Sequence, residues 1–109
     1  MIVRRHNRCV GLTLFRWGRK KLEIWFCPRN EEIEPHRHEH IDSMIYLLAG
    51  RMHGRIAEVR GLVELWRGYP VPAGTVHTAT TDSPCIFANW ETWIGDVPVT
   101  SAAEDFTAV

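Results

Sequence analysis

Two stretches, Pro35-His36-Arg37-His38-Glu39-His40-Ile41-Asp42 and Pro72-Ala73-Gly74-Thr75-Val76-His77, decide the fold and the chemistry of this 109-residue chain. Side chains alternate between the two faces of an extended strand, so three imidazoles at every second position share a face, about 6 to 7 Å apart. On a helix they would fan out. A fourth imidazole, delivered by the Pro-x-Gly turn, can join them on Fe, Mn, Ni, Cu or Zn at about 2.0 to 2.2 Å. The two stretches therefore predict a divided metal site.

Composition restricts the chain to one small domain, residues 1–109. The hydrophobic fraction of 45% is enough for one core, and the length is too short for two. Lys plus Arg and Asp plus Glu are both 13, so the overall charge predicts no attraction to nucleic acid or to a membrane surface. A basic segment over residues 1–21 and an acidic tail after Arg67 are interpreted as solvated ends.

Cysteine spacing and the start of the chain indicate a cellular location. Cys9, Cys27 and Cys85 are widely spaced and contain no C-x-x-C pair, so we expect reduced thiols rather than a zinc ribbon or a disulfide framework. The first eight residues are charged where a signal peptide needs an apolar run, and no stretch approaches the roughly 20 apolar residues of a membrane span. We therefore expect a soluble, cytoplasmic protein.

Short apolar runs separated by glycine and proline predict an all-β fold. The predicted strands cover residues 12–17, 21–27, 32–38, 43–49, 52–59, 62–67, 75–80 and 85–93. This number of strands fits one small barrel, with its core over residues 20–95. Arg60-Gly61 is expected to form a tight hairpin turn, because glycine tolerates positive φ. Residues 98–109 fit equally well a short helix from Ser101 or a loose tail.

The same residues resemble the paired motifs of the cupin family. The first motif is matched by His36, His38, Tyr46 and Gly50, and the second by Gly68, Pro72, Gly74 and His77. Either motif alone is a weak signal, whereas the pair is specific. The resemblance implies a double-stranded β-helix, a barrel of jelly-roll type in which the two motifs face each other. It also implies that the histidines at 36, 38 and 77 bind one divalent metal ion in the barrel interior.

The first motif departs from the family pattern at its carboxylate ligand. Counting forward from His38 puts Asp42 where cupins usually have glutamate, whereas counting back from the end of the motif puts Ser43 there. The chain can therefore use Asp42, replace the carboxylate with His40, or leave three histidines with water in the open positions. Alternation from Ser43 sends Asp42 to the opposite face, so we favour three histidines, with His40 as the next candidate.

The surroundings of the site are only partly predictable. If Ser43 faces inward, Ile45 and Leu47 do also, and the pocket wall is mostly apolar. Alternation does not decide which faces of strands 21–27 and 85–93 line the cavity. The conceivable proton-transfer groups are Tyr46, Glu91 and Glu23, although Tyr46 is expected on the outer layer. The five tryptophans are assigned to the core and a dimer interface in preference to ligand stacking.

Two classes of function fit these observations. A three-histidine centre with open positions suits a metal-dependent enzyme acting on a small organic molecule, as a dioxygenase, lyase or isomerase. The alternative is a non-enzymatic module that binds or senses a small molecule, with or without metal. A metal-free structural domain is a weaker third possibility. The family resemblance and the unprotected edge strands also predict a homodimer.

Overall fold

The computed structural model describes residues 3–109, which form eleven strands and no helix. The strands are β1 (Val3–His6), β2 (Cys9–Trp17), β3 (Lys20–Cys27), β4 (Glu32–Arg37), β5 (Ile41–Ala49), β6 (Met52–Ile56), β7 (Val59–Leu62), β8 (Gly68–Val71), β9 (His77–Thr81), β10 (Cys85–Trp93) and β11 (Thr107–Ala108). They build a six-stranded sheet, β1-β2-β3-β10-β5-β8, and a five-stranded sheet, β11-β4-β9-β6-β7. All pairings between these strands are antiparallel. The prediction of an all-β jelly-roll barrel is therefore confirmed.

Strand alternation decides which side chains enter the space between the two sheets. On β3, Glu23, Trp25 and Cys27 are buried, and the residues between them are more exposed. Asn89 of β10 lies opposite Glu23, and directly opposite residues of antiparallel strands share a face. Glu23 and Asn89 therefore belong to the inner face, which settles the choice that the sequence left open. Ser43 of β5 is also buried on this face, as alternation predicted.

Buried apolar side chains fill the rest of the interior in small clusters. Their members are Trp25 with Cys9 and Cys27, Ile41 with Trp93 and Ala102, and Leu47 with Met52 and Cys85. Complete burial of one large apolar side chain contributes about 1.5 to 3 kcal/mol, so these clusters hold the two sheets at a fixed separation.

The strand boundaries differ from the prediction mainly around β7. The expected strand over residues 62–67 is wrong, because β7 is Val59–Leu62 and the segment after it is a loop. The expected turn at Arg60-Gly61 is also wrong, since Ile56 pairs with Val59 and the turn is formed by Ala57 and Glu58. Ala57 adopts a φ of 52°, a left-handed conformation that is uncommon for alanine and could not be predicted from the residue type. Strands β1, β8 and β11 were not predicted.

The C-terminal segment is neither a helix nor a loose tail. Ser101 accepts hydrogen bonds through its carbonyl from the amides of Glu104 and Asp105, both at 2.9 Å, which makes a single tight turn. The chain then continues as β11, in which Ala108 lies opposite His36 of β4. Both expectations for this segment were therefore wrong, because long-range contacts order it.

The cysteine prediction needs correction. Cys9 and Cys27 form a disulfide with a Cα–Cα distance of 4.4 Å, and Cys85 is free and buried. The β2–β3 register brings the first two together, since Val10 lies opposite Phe26. The argument for a cytoplasmic location from three reduced thiols is therefore lost, and the location stays a prediction. Over residues 3–109 no helical segment has the length and apolarity needed to cross a membrane.

Candidate metal centre

Three histidines from the two sequence stretches meet inside the barrel. His36 of β4 lies directly opposite His77 of β9, and His38 follows the end of β4. One side-chain nitrogen of each ring lies within 4.8 Å of the corresponding nitrogens of the other two rings. All three residues are buried, with exposures of 4%, 7% and 8% for His36, His38 and His77. The expected convergence in the barrel interior is therefore present.

Backbone carbonyls fix the orientation of each ring. The Nδ1 atom of His36 donates to the carbonyl of Glu34 at 2.7 Å, and that of His77 donates to the carbonyl of Thr75 at 3.0 Å. The Nδ1 atom of His38 donates to the carbonyl of Asp105. A carbonyl only accepts, so Nδ1 carries the proton in the neutral ring and Nε2 keeps a free lone pair. Such a second hydrogen bond is how metal-binding histidines are usually oriented.

Burial keeps these rings neutral. Burial first, and then the charge of His77, lowers the pKa of His36 to about 3. Burial likewise lowers the pKa of His77 to about 4 and shifts the pKa of His38 downward. An imidazole binds a metal only in its neutral form, so the three rings need not lose a proton at neutral pH before binding.

A cavity of about 100 Å³ lies in front of the histidines. Its walls are largely apolar, with Trp25, Ile33, Ile45 and Phe87 among the lining residues. Phe106 stacks on the His36 ring, with centroids 4.2 Å apart and planes tilted by 15°. The cavity is large enough for several waters or a small organic molecule.

His40 and Asp42 do not join the histidine group. Strand β4 ends at Arg37, so the alternation that was expected to carry His40 to the same face stops before it. The His40 side chain is 41% exposed, and its Nδ1 lies 3.2 Å from Asp105 Oδ1. Asp42 is exposed and accepts a hydrogen bond from the Ala73 amide at 2.8 Å. Neither candidate for the fourth ligand therefore points at the group.

Tyr46 also lies away from the cavity. It occupies the outer face of β5, where a Cβ added to Gly68 of β8 would lie 3.1 Å from its ring. This position follows from the same alternation that turns Ser43 inward. Of the three proton-transfer candidates, Tyr46 is thus the one that the fold excludes from the interior.

Glu23 and Glu91 are completely buried on the inner face of the six-stranded sheet. Glu23 Oε2 lies 3.1 Å from Lys21 Nζ and accepts a hydrogen bond from Ser101 Oγ at 3.1 Å. Glu91 accepts hydrogen bonds from Trp93 Nε1 at 2.9 Å and from Asn89 Nδ2 at 3.0 Å. These two glutamates and Lys21 form what we call the buried acid cluster.

One proton is held within the buried acid cluster. Burial first, and then the hydrogen bond and charge of Glu23, raises the pKa of Glu91 to about 10. Burial opposes ionisation of Glu23 also, but the hydrogen bond from Glu91 and the charge of Lys21 outweigh it and lower the pKa of Glu23. Glu91 is therefore protonated beside an ionised Glu23.

Sequence reasoning missed Asp105 and Phe106. Both lie in the C-terminal segment, where one orients His38 and the other stacks on His36. Neither belongs to a motif, and no periodic pattern leads to them. The pairing of β11 with β4 and the hydrogen bond from the His40 amide to Asp105 bring this segment to the histidines.

The fold is that of known cupins. KdgF from a Halomonas species superposes with a TM-score of 0.77 at 13% identity, covering 88% of this chain and 89% of that one. An RmlC-like cupin from Shewanella frigidimarina gives 0.76 at 14%, with 87% and 86% covered. A cupin-2 domain from Rhodospirillum rubrum gives 0.73 at 15%, with 94% and 75% covered.

Comparisons of sequence add no closer assignment. No protein-family model matches the chain, and no curated protein matches it. At identities this low the structural similarity establishes the fold alone. The chain thus has the cupin fold and carries a group of three histidines that could hold a metal ion.

Proposed function

We propose that the protein holds one divalent metal ion on His36, His38 and His77 and binds a small organic molecule beside it. The observation that carries this proposal is the convergence of three neutral imidazoles whose Nδ1 atoms are already occupied. Nitrogen ligands of this kind suit Fe, Mn, Ni, Cu or Zn. Three protein ligands leave coordination positions open for a ligand's oxygen atoms.

The metal would supply Lewis acidity, or dioxygen activation if it is redox-active, which makes the proposed protein a dioxygenase, lyase or isomerase. The chain itself contributes a largely apolar cavity that positions the organic molecule against the histidines. One observation favours the alternative, a non-enzymatic binding or sensing protein. Glu23, Glu91 and Tyr46 do not line the cavity, so none of the candidate proton-transfer groups faces a bound molecule directly.

Metal analysis of tag-free protein tests the proposal. We expect about one metal ion per wild-type chain and loss of that ion in His36→Ala and His77→Ala. His40→Ala is the matched control, because it removes an imidazole of the same sequence stretch that lies outside the group. Retention of the full metal content by both His36→Ala and His77→Ala would show that the ligands are assigned wrongly.

Oxygen dependence separates the two forms of the proposal. Consumption of dioxygen or release of a product by the metal-loaded protein supports an enzyme. Reversible, metal-dependent binding of an unchanged molecule supports the binding or sensing alternative. Both outcomes keep the histidine group as the site.

We further propose that the partner of the chain is a second copy. The outer face of β2 and β3 exposes large apolar side chains, with Phe15, Trp17 and Phe26 at 44%, 77% and 42% exposure. Exposed apolar patches of this kind are typical of protein interfaces. Light scattering that gives only the mass of one chain, 12.6 kDa, would reject the homodimer.

A further inference from the structure

Two polar atoms on the cavity wall lack hydrogen-bond partners. Ser43 Oγ and Asn89 Oδ1 are buried, and no other described residue donates to or accepts from either atom. Their residues are 6% and 5% exposed, and both line the cavity in front of the histidines. Buried polar atoms in proteins are almost always paired, so an unpaired atom that faces a cavity indicates a missing partner.

The two atoms lie on the wall opposite the histidine group. Ser43 of β5 is opposite Glu91 of β10, and Asn89 is opposite Ile45, so Ser43 and Asn89 are diagonal neighbours on one face. Diagonal neighbours are about 7 to 8 Å apart, within reach of one small molecule. A molecule in the cavity therefore has histidines on one side and these two oxygens on the other.

A hydrogen bond to Glu91 fixes the orientation of the Asn89 amide. Its Nδ2 donates to Glu91 Oε2 at 3.0 Å. Because Nδ2 is occupied by Glu91, the amide oxygen is the atom left without a partner, and Asn89 lines the cavity. An amide oxygen accepts only, which requires a donor on the bound molecule. The negative charge of Glu23 is already balanced by Lys21, so a neutral donor fits better than a cation.

We propose that Ser43 Oγ and Asn89 Oδ1 form a subsite for hydroxyl groups, and that the ligand is a small hydroxylated organic molecule such as a hydroxy acid or polyol. This inference rests on the proposed function, because it assigns the ligand class of the same cavity. The hydroxyl donates to Asn89 and exchanges a hydrogen bond with Ser43, while the rest of the molecule contacts the apolar walls and the metal.

Paired probes test the subsite. Zinc-loaded protein is titrated calorimetrically with 3-hydroxybutyrate and with butyrate, which differ only in the hydroxyl. A site built to bind a hydroxyl rejects the analogue that lacks it, so we expect the hydroxylated probe to bind about tenfold or more tightly. Asn89→Leu and Ser43→Ala should each reduce this preference to about threefold or less.

Thr13→Val is the matched control. Thr13 Oγ1 is also buried without a partner, but it does not line the cavity. The control should keep the full preference for the hydroxylated probe. Ser43→Ala removes one atom, so it provides an independent test if the larger change at Asn89 prevents folding.

The zinc content of each sample separates the two levels of failure. Wild-type protein that holds neither zinc nor Fe, Mn, Ni or Cu after loading overturns the proposed function and, with it, this inference. Zinc-loaded wild type that binds both probes equally overturns the inference alone. If Asn89→Leu and Ser43→Ala leave the preference for the hydroxylated probe undiminished, the preference comes from the metal. That result also overturns the subsite.

Discussion

The three histidines and the buried acid cluster lie on facing walls of the barrel, and their buried polar groups differ in what they face. On the five-stranded sheet, three histidines each have one nitrogen occupied and the other free, and the free nitrogens converge. On the six-stranded sheet, Glu23 and Glu91 are buried more deeply, and both oxygens of Glu91 and the Oε2 atom of Glu23 have partners within the protein. Burial of a polar group therefore does not separate a binding site from the scaffold. Open hydrogen-bonding atoms that face the cavity do: the three histidines line it, whereas Glu23, whose Oε1 is also open, does not.

The comparison assigns the buried acid cluster a structural role. Lys21, Glu23 and Ser101 tie β3 to the segment that leads into the C-terminal turn, and Glu91 ties β3 to β10. A buried ion pair often adds little net stability over apolar residues, because desolvation offsets the attraction. Removal of one partner is costly, however, since it leaves the other charge buried and unpaired.

The largest predicted effect follows from breaking this pair. Lys21→Met leaves the negative charge of Glu23 without its cation, and we expect the free energy of unfolding to fall by about 3 to 5 kcal/mol. Urea unfolding at pH 7 measures the change. Lys20→Met is the control. The Lys20 side chain is next in sequence but exposed, so its substitution should lower the free energy of unfolding by less than about 0.5 kcal/mol. A loss below about 1 kcal/mol for Lys21→Met would contradict the structural role.

A second prediction concerns the proton on Glu91. The folded pKa of about 10 lies above the ordinary value of 4.5, so between these values the unfolded chain is ionised at this position while the folded chain is protonated. The stability that Glu91 contributes is complete below pH 4.5 and is lost as pH rises toward the folded pKa. The loss is at most about 1.4 kcal/mol per pH unit. The hydrogen bond from Glu91 and the charge of Lys21 lower the pKa of Glu23 from its ordinary value, so Glu23 does not contribute to this loss at higher pH.

Glu91→Gln should remove this slope, because the amide keeps a donor for Glu23 and does not ionise. Urea unfolding between pH 6 and pH 9 measures it, and we expect the variant to gain on the wild type as the pH rises. Glu58→Gln, on the exposed β6–β7 turn, should stay parallel to the wild type. Parallel curves for Glu91→Gln and the wild type would instead show that Glu91 is ionised in the folded protein.

The sequence was informative where chemistry depends on local spacing. The two histidine stretches and the punctuated apolar runs led to the cupin fold and to the three residues that converge. Alternation from Ser43 correctly turned Ile45 inward and Tyr46 outward. The extension of the same alternation to His40 failed because the strand ends at Arg37, and strand ends are set by pairing with other segments.

The sequence was uninformative where partners are distant along the chain. The turn at Ala57 uses a left-handed residue that is not glycine. The disulfide between Cys9 and Cys27 depends on hairpin register, and the buried acid cluster depends on a serine 78 residues from Glu23. No sequence pattern in the C-terminal segment predicts that it lies beside the histidines.

That segment gives the smallest predicted effect and the finest test of the comparison. The rings of His36 and His77 are oriented by carbonyls two residues earlier in the chain, but His38 depends on the carbonyl of Asp105. The Asp105 side chain anchors this turn through the His40 amide at 2.8 Å. Asp105→Ala should therefore lower the free energy of unfolding by about 1 kcal/mol. It should also weaken zinc affinity about tenfold, because the orientation of the His38 ring is less fixed.

Competition with a chromophoric chelator measures that affinity. Glu104→Ala is the control, since it removes a neighbouring, half-exposed carboxylate whose ion pair with Arg4 should contribute little. An unchanged zinc affinity in Asp105→Ala would mean that the His38 ring is held without this anchor or does not bind the metal. A tenfold loss without unfolding would show that the free nitrogens of the histidines depend on a contact between distant parts of the chain, as Glu23 of the opposite wall does through Ser101.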